Sequence, residues 1–329
     1  MQPEMDVVAT LIRSAGRRVE PPQDAYRQVF VAAHAAFRAK AARRRNAALM
    51  LWAGAAAAVV LGVALAMRWT SPLAPPAELA QVARIAGAVE VAAGDGWRPL
   101  PEAGARLAAG TRIRTRPDGR AAIALAAGES LRIAPDTEMV LDAPGRLYLQ
   151  RGTAYLDGGT RPAREGIEVV TPAGTARELG TQFELHVAAT GLRLRVREGS
   201  VAIDHGGRSV TGLAGEEVSI DTFGGVLRTT IRPDDPAWQW AEAIAPMPDM
   251  DGQPAATLIT WVARETGRRL RYESPLVEQR AGSVILHGEI RHLAPMEALE
   301  AMLATTDLQV ALDGNTMEVR SRSHDPPGL

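Results

Sequence analysis

Residues Ala47–Met67 read AALMLWAGAAAAVVLGVALAM, 21 positions without a charge or a strongly polar side chain. Coiled as a helix, such a run spans about 31 Å, against roughly 30 Å of hydrocarbon in a bilayer. A helix this long inside a globular core would keep a polar face, and this run has none. It is therefore expected to cross a membrane once, which divides the rest of the chain into two sides. Arg38, Lys40, Arg43, Arg44 and Arg45 precede it, whereas only Arg68 follows before Arg84. That asymmetry puts the N-terminus in the cytoplasm and the long C-terminal part across the inner membrane, in the periplasm. Trp52 and Trp69 sit near the two ends, where indoles favour the interface. Ala64-Leu65-Ala66 resembles a signal-peptide cleavage site, but the leader and the apolar run are both longer than a signal peptide uses. A retained anchor is expected.

Charge follows the same division. Residues 1–46 hold nine basic residues against four acidic ones, leaving 28 against 34 in the remainder. The formal net charge of −1 gives no general attraction to nucleic acid. There is no cysteine, which excludes disulfides, thiol nucleophiles and cysteine-based zinc sites. Two short helices are expected before the anchor. Val8, Leu11, Ile12 and Ala15 fall at helical spacing ahead of Gly16. Asp24 can cap a second helix with Tyr26, Val29, Phe30, Ala33 and Phe37 on one side. Neither buries much by itself. His34 lies among alanines with no ligand-type neighbour.

Beyond Ser71–Pro76, a stiff proline-rich linker, the periodicity changes to two. Phe183, Leu185 and Val187 alternate with Glu184 and His186; Leu192, Leu194 and Val196 alternate with Arg193, Arg195 and Arg197. Alternation over such short runs predicts half-buried strands. Turn signals punctuate them at Gly94-Asp95-Gly96, Pro117-Asp118-Gly119, Gly158-Gly159 and Gly206-Gly207. An all-β unit over 80–229 is expected, either a sandwich or a roll. The arginine rows 112/114/116 and 193/195/197 are read as a solvated outer face, with anion binding as the alternative. The adjacent acids Glu216-Glu217 and Asp234-Asp235 are read as loop residues.

Residues 246–321 have a different rhythm. Pro254 opens a helix carrying Leu258, Trp261, Val262 and Glu265, which Gly267 ends. Strand-like Leu270-Arg-Tyr and Val284-Ile-Leu-His follow. Pro295 opens a second helix with Met296, Leu299 and Leu303, before Leu308-Gln-Val-Ala-Leu and Met317-Glu-Val. This describes a small α+β unit.

Several stretches of the β unit resemble the FecR domain: Gly87-Ala-Val-Glu-Val, Trp97-Arg-Pro-Leu, Gly110-Thr-Arg-Ile-Arg-Thr, Gly119-Arg-Ala-Ala-Ile-Ala-Leu and Ser130-Leu-Arg-Ile. Leu149-Gln-Arg-Gly-Thr-Ala-Tyr, Glu178-Leu-Gly-Thr-Gln-Phe-Glu-Leu, Val196-Arg-Glu-Gly-Ser-Val and Leu213-Ala-Gly-Glu-Glu continue the series in order. Residues 246–321 resemble the short N-terminal domain of secretins and TonB-dependent transporters. These resemblances imply a membrane-anchored sigma regulator. Its cytoplasmic segment would touch an extracytoplasmic-function sigma factor through Leu11, Tyr26, Phe30 and Phe37. Its periplasmic part would receive a signal from the signalling domain of a TonB-dependent outer-membrane transporter, often one handling iron chelates. The alternative is a membrane-tethered periplasmic binding or assembly module that regulates no sigma factor.

No nucleophile–base–acid set, metal cluster or phosphate loop stands out, and neither an enzyme nor a cofactor is expected. Some FecR-like proteins cleave themselves at a Gly-Thr bond, and the matching bond here is Gly180–Thr181. Of five Gly-Thr pairs in the chain, only its place in the family stretch singles it out; an ordinary strand start is the preferred reading. Trp238 and Trp240 are expected to pack the two periplasmic domains together. The expected organisation is thus multi-domain: a cytoplasmic helical segment (1–46), a transmembrane helix (47–67), a linker (68–79), an all-β domain (80–229), a linker (230–245), a small α+β domain (246–321) and a tail (322–329).

Overall fold

The computed structural model describes residues 10, 14, 16, 31, 78–159, 166–178, 182–288, 290 and 293–322. Two compact units divide the chain, Met1–Ala74 and Pro75–Leu329, and the second holds nearly all of the described residues. No helix among those residues is long and apolar enough to cross a membrane. The run 47–67 and the residues Leu11, Tyr26, Phe30 and Phe37 lie outside them.

Seventeen strands follow one another from residue 78 to 230. They are β1 (Glu78–Ala86), β2 (Val89–Ala93), β3 (Gly96–Pro99), β4 (Arg106–Ala108), β5 (Thr111–Thr115), β6 (Arg120–Leu125), β7 (Ser130–Ile133), β8 (Glu138–Ala143) and β9 (Arg146–Asp157). Then come β10 (Glu168–Thr171), β11 (Gly174–Glu178), β12 (Gln182–Ala188), β13 (Gly191–Glu198), β14 (Ser200–His205), β15 (Arg208–Leu213), β16 (Glu216–Asp221) and β17 (Val226–Thr230). They form two layers. The first runs β4-β1-β6-β7-β9-β12-β13-β16-β17. The second runs β3-β2-β5-β8-β9-β10-β11-β14-β15, with β9 and β10 parallel. The choice between sandwich and roll thus resolves into two layers that share a strand.

That shared strand is the 12-residue β9. Its first half pairs with β8 and β10, its second half with β7 and β12. The change of layer occurs at Gly152, where φ is +91° and an added Cβ would lie 2.4 Å from the Thr137 hydroxyl oxygen. Only glycine combines that backbone angle with so close an approach. Between the layers one apolar cluster takes Ile123, Leu131, Leu156, Phe183 and Leu194 from the first and Ile113, Leu149, Val169 and Ile203 from the second. Period-two alternation in the sequence is therefore the division between this core and the outer faces.

The stretch 231–245 is folded. Asp235 caps a 3-10 turn (Pro236–Trp238) by accepting from the Ala237 amide, and helix α1 (Gln239–Glu242) follows. Trp238 and Ala241 join Ile231 and Tyr155 in a small apolar cluster of their own.

The last part holds α2 (Ala255–Glu265), β18 (Arg269–Tyr272), α3 (Pro275–Ser283), α4 (Pro295–Leu303), β19 (Leu308–Asp313) and β20 (Thr316–Ser321). The strand order is β18-β20-β19, with β18 parallel and β19 antiparallel to β20. Leu258, Ile259, Val262, Leu299, Met317 and Val319 build its core. Two local readings change. The stretch Val284–His287 makes only an isolated bridge, Pro254 to Ile285. In front of it lies α3, a helix with few apolar positions whose signal was its start: Ser274 caps Val277 and Pro275 follows at the first helical position.

Candidate functional site

The first layer has an outer face that points away from the core, and cross-strand register aligns its side chains in rows. Residues opposite one another on paired strands share a face. One row passes from Arg84 through Ala122, Arg132, Tyr155, Glu184, Arg195 and Glu217 to Thr229. The next runs Ser130, Asp157, Gln182, Glu198. An outer face of this composition would ordinarily be wet. Here Arg132 and Tyr155 are 0% exposed and Glu184 is 1% exposed, because the stretch 231–245 and the end of α2 lie on them.

The contacts are ionic and aromatic. Arg132 donates to Glu265 at 2.7 Å and to the Ala241 carbonyl at 3.1 Å, and its guanidinium lies 4.9 Å over the Tyr155 ring. Tyr155 meets Trp238 edge to face, with ring centroids 6.0 Å apart at 73°. Arg197 lies 5.2 Å over the other ring of that pair, Trp238. It donates to the Pro233 carbonyl (2.6 Å), the Glu265 carbonyl (2.7 Å) and the Glu242 carboxylate (2.6 Å). The Trp240 indole donates to Glu184 at 2.8 Å, and Glu184 also accepts from Arg193 and Arg195. Arg264 pairs with Asp157 and, at 3.0 Å, with Glu198. Gln182 donates to Asp157 at 3.0 Å.

Helix α2 delivers Arg264 and Glu265 in its last turn. A glutamate there opposes the helix dipole. Two arginines compensate: Arg132 takes the carboxylate, and Arg197 takes the backbone carbonyl at the helix end. The helix stops at Gly267, whose φ is +62° and whose added Cβ would lie 2.1 Å from the Pro233 carbonyl oxygen. Burial, the largest influence, pushes the Glu265 carboxyl above its ordinary range against the pull of the facing Arg132. Burial also pushes the Tyr155 hydroxyl up to about 12. The Tyr155 hydroxyl and the Arg132 Nε have no hydrogen-bond partner among the described residues. The centre of the seam, at Arg132, Tyr155 and Glu265, is therefore desolvated but incompletely matched.

Of the residues singled out in the sequence, Trp238 and Trp240 lie in this seam. Gly180 and Thr181 lie outside the described residues; on either side of them, the Glu178 amide donates to the Ile167 carbonyl and Gln182 is held by Asp157. The row 193/195/197 is not a solvated face: Arg197 is buried, and Arg193 and Arg195 pair with Glu184. The row 112/114/116 does face outward, paired with Glu138 and Glu90, and Arg112 and Arg114 lie over the Trp97 ring. Neither acidic pair is a free loop pair. Glu216 and Glu217 bind Arg228 and Arg195, and Asp234 binds Arg232. None of the seam residues Arg132, Tyr155, Asp157, Glu184, Arg264 and Glu265 is a candidate site residue in the sequence, although Glu184 and Glu265 have a place in its strand and helix patterns. The one signal for them was a helix-terminal glutamate beside an arginine. No described group of His, Cys, Asp or Glu could hold a metal ion.

Residues 111–202 match the family model described as FecR protein, so this stretch of the chain is a FecR domain. No curated protein matches the chain. Two crystal structures of a candidate anti-sigma factor from Parabacteroides distasonis are similar, at 16% and 15% identity. Each alignment covers 64% of this chain and 99% of that one, with a TM-score of 0.35.

Proposed function

We propose that this chain is a membrane-anchored sigma-factor regulator of the anti-sigma type, and not an enzyme. The FecR domain at 111–202 is the observation that carries the reading. In it, residues 1–46 hold an extracytoplasmic-function sigma factor in the cytoplasm, with Leu11, Tyr26, Phe30 and Phe37 on the contacting side. Residues 47–67 cross the inner membrane. The FecR domain and the α+β module receive a signal in the periplasm from the signalling domain of a TonB-dependent outer-membrane transporter. The uncharged run and its basic flank support this topology. The seam supports a relay, because ion pairs couple the module to the β layers.

The test is truncation of residues 1–35 in the native host, read by transcription from the promoters of the co-encoded sigma factor. Loss of sigma control, together with capture of that sigma factor by the purified 1–46 segment, is expected. Unchanged transcription and no capture would reject the sigma-regulator role and favour the tethered periplasmic module.

A further inference from the structure

The three apolar clusters do not mix. The β-domain cluster uses residues from Leu79 to Ile220, and the α+β module uses its own, from Met247 to Val319. The small third cluster joins the stretch 231–245 to Tyr155 and includes no residue beyond Ala241. Trp238 therefore packs the connecting stretch onto the sheet, whereas the module beyond it is held by polar contacts. These are Arg132 to Glu265, Arg197 to the Glu265 carbonyl, Arg264 to Asp157, Glu198 and the Gly159 carbonyl, Arg84 to the Leu293 carbonyl, and Arg268 to Asp234 of the connecting stretch.

We propose that the seam is a reversible latch, in which the module 246–322 docks on and leaves the outer face of the first layer while 231–245 stays in place. Three features support a joint that opens. First, a buried ion pair gains little over hydration, since desolvation offsets most of the attraction. The unmatched Tyr155 hydroxyl and Arg132 Nε weaken it further. Second, each uncovered surface would be polar: Arg132, Asp157 and Arg197 on one side, Arg264 and Glu265 on the other. Both parts would stay soluble when apart, as an apolar interface would not. Third, the short stretch Ala245-Pro-Met-Pro-Asp249 that leads to the module's buried Met250 holds no helix or strand. A ligand with different affinities for the docked and released forms would shift their populations.

The absence of cysteine makes the test direct. Spin labels are placed on the full chain at Arg208→Cys and Asp313→Cys, both exposed and neither one of the seam residues. Distance distributions are then compared. In Glu265→Ala, Arg132 is left buried without its carboxylate, and the ratio of released to docked populations is expected to rise by roughly a hundredfold or more. A second, longer distance should appear while both domains remain folded by circular dichroism. In the double variant Arg132→Leu/Glu265→Leu, apolar side chains replace the pair, and a single docked distance is expected. An unchanged single distance in Glu265→Ala would overturn the latch. So would loss of the module and the β layers together in one cooperative denaturant transition, in either variant.

Discussion

Arg132 on β7 and Glu265 at the end of α2 stand 133 residues apart in the chain and meet at 2.7 Å with neither exposed to solvent. Each is on a face that its own element would turn toward water. They are buried because each covers the other, and the consequences for stability are specific.

Arg197→Ala removes donors to Pro233, Glu265 and Glu242 at once and leaves the α2 carbonyl end unmet. A loss of about 3–5 kcal/mol is expected, the scale for breaking a buried charged network. Arg193→Ala, on the same strand but a third exposed, should cost less than about 1 kcal/mol. Denaturant unfolding of the two variants side by side checks this, and equal losses would contradict the seam as drawn.

Trp238→Ala empties a fully buried indole site beside Tyr155 and should cost about 3–5 kcal/mol. Trp240→Phe removes only the bond to Glu184, which keeps Arg193 and Arg195, so about 1 kcal/mol is expected. Thermal melts followed by near-ultraviolet circular dichroism would separate the two.

Gly152→Ala sets a Cβ against Thr137 at a backbone angle that L-residues avoid. Destabilisation above about 2 kcal/mol is expected, beyond what glycine flexibility returns. Gly206→Ala, also at positive φ (+53°) but in open space, should cost about 1 kcal/mol. A smaller loss at 152 than at 206 would mean that β9 does not change layers there.

His186 is half-buried against Thr153, at 2.8 Å. Burial, and then Arg193, lowers its pKa below the ordinary 6.5. The folded state thus binds fewer protons than the unfolded state between that lowered pKa and 6.5. The stabilisation is present above pH 6.5 and is lost as pH falls through the folded value. Glu265 has the opposite sign: its raised pKa makes stability fall as pH rises above 4.5. The wild-type curve sums both, so the informative quantity is wild type minus His186→Gln. That difference should decline on acidification from pH 7 to 5; a flat difference would exclude the linkage.

The strands were legible because alternation records the core directly. Leu131 and Ile133, or Phe183 and Leu185, point inward, and the residues between them point outward. Helix α2 was legible from its apolar spacing and Gly267. Helix α3 was not, since Leu276 is exposed and only Val277 and Ala281 are buried, too few to set a period. Trp238 and Trp240 drew attention as large apolar residues between two domains. Arg197 was misread as solvated, because a charged residue on an outward position is usually wet.

The sequence alone determined which face of each strand is core and which is not, and where the uncharged run lies. Local periodicity suffices for that, since a strand's own neighbours set its pleat. Only the tertiary structure decided that part of the outer face is covered. What covers Arg132 and Arg197 arrives from 36 to 133 residues further along the chain. No local pattern around Leu131-Arg132-Ile133 distinguishes an arginine that meets water from one that meets Glu265.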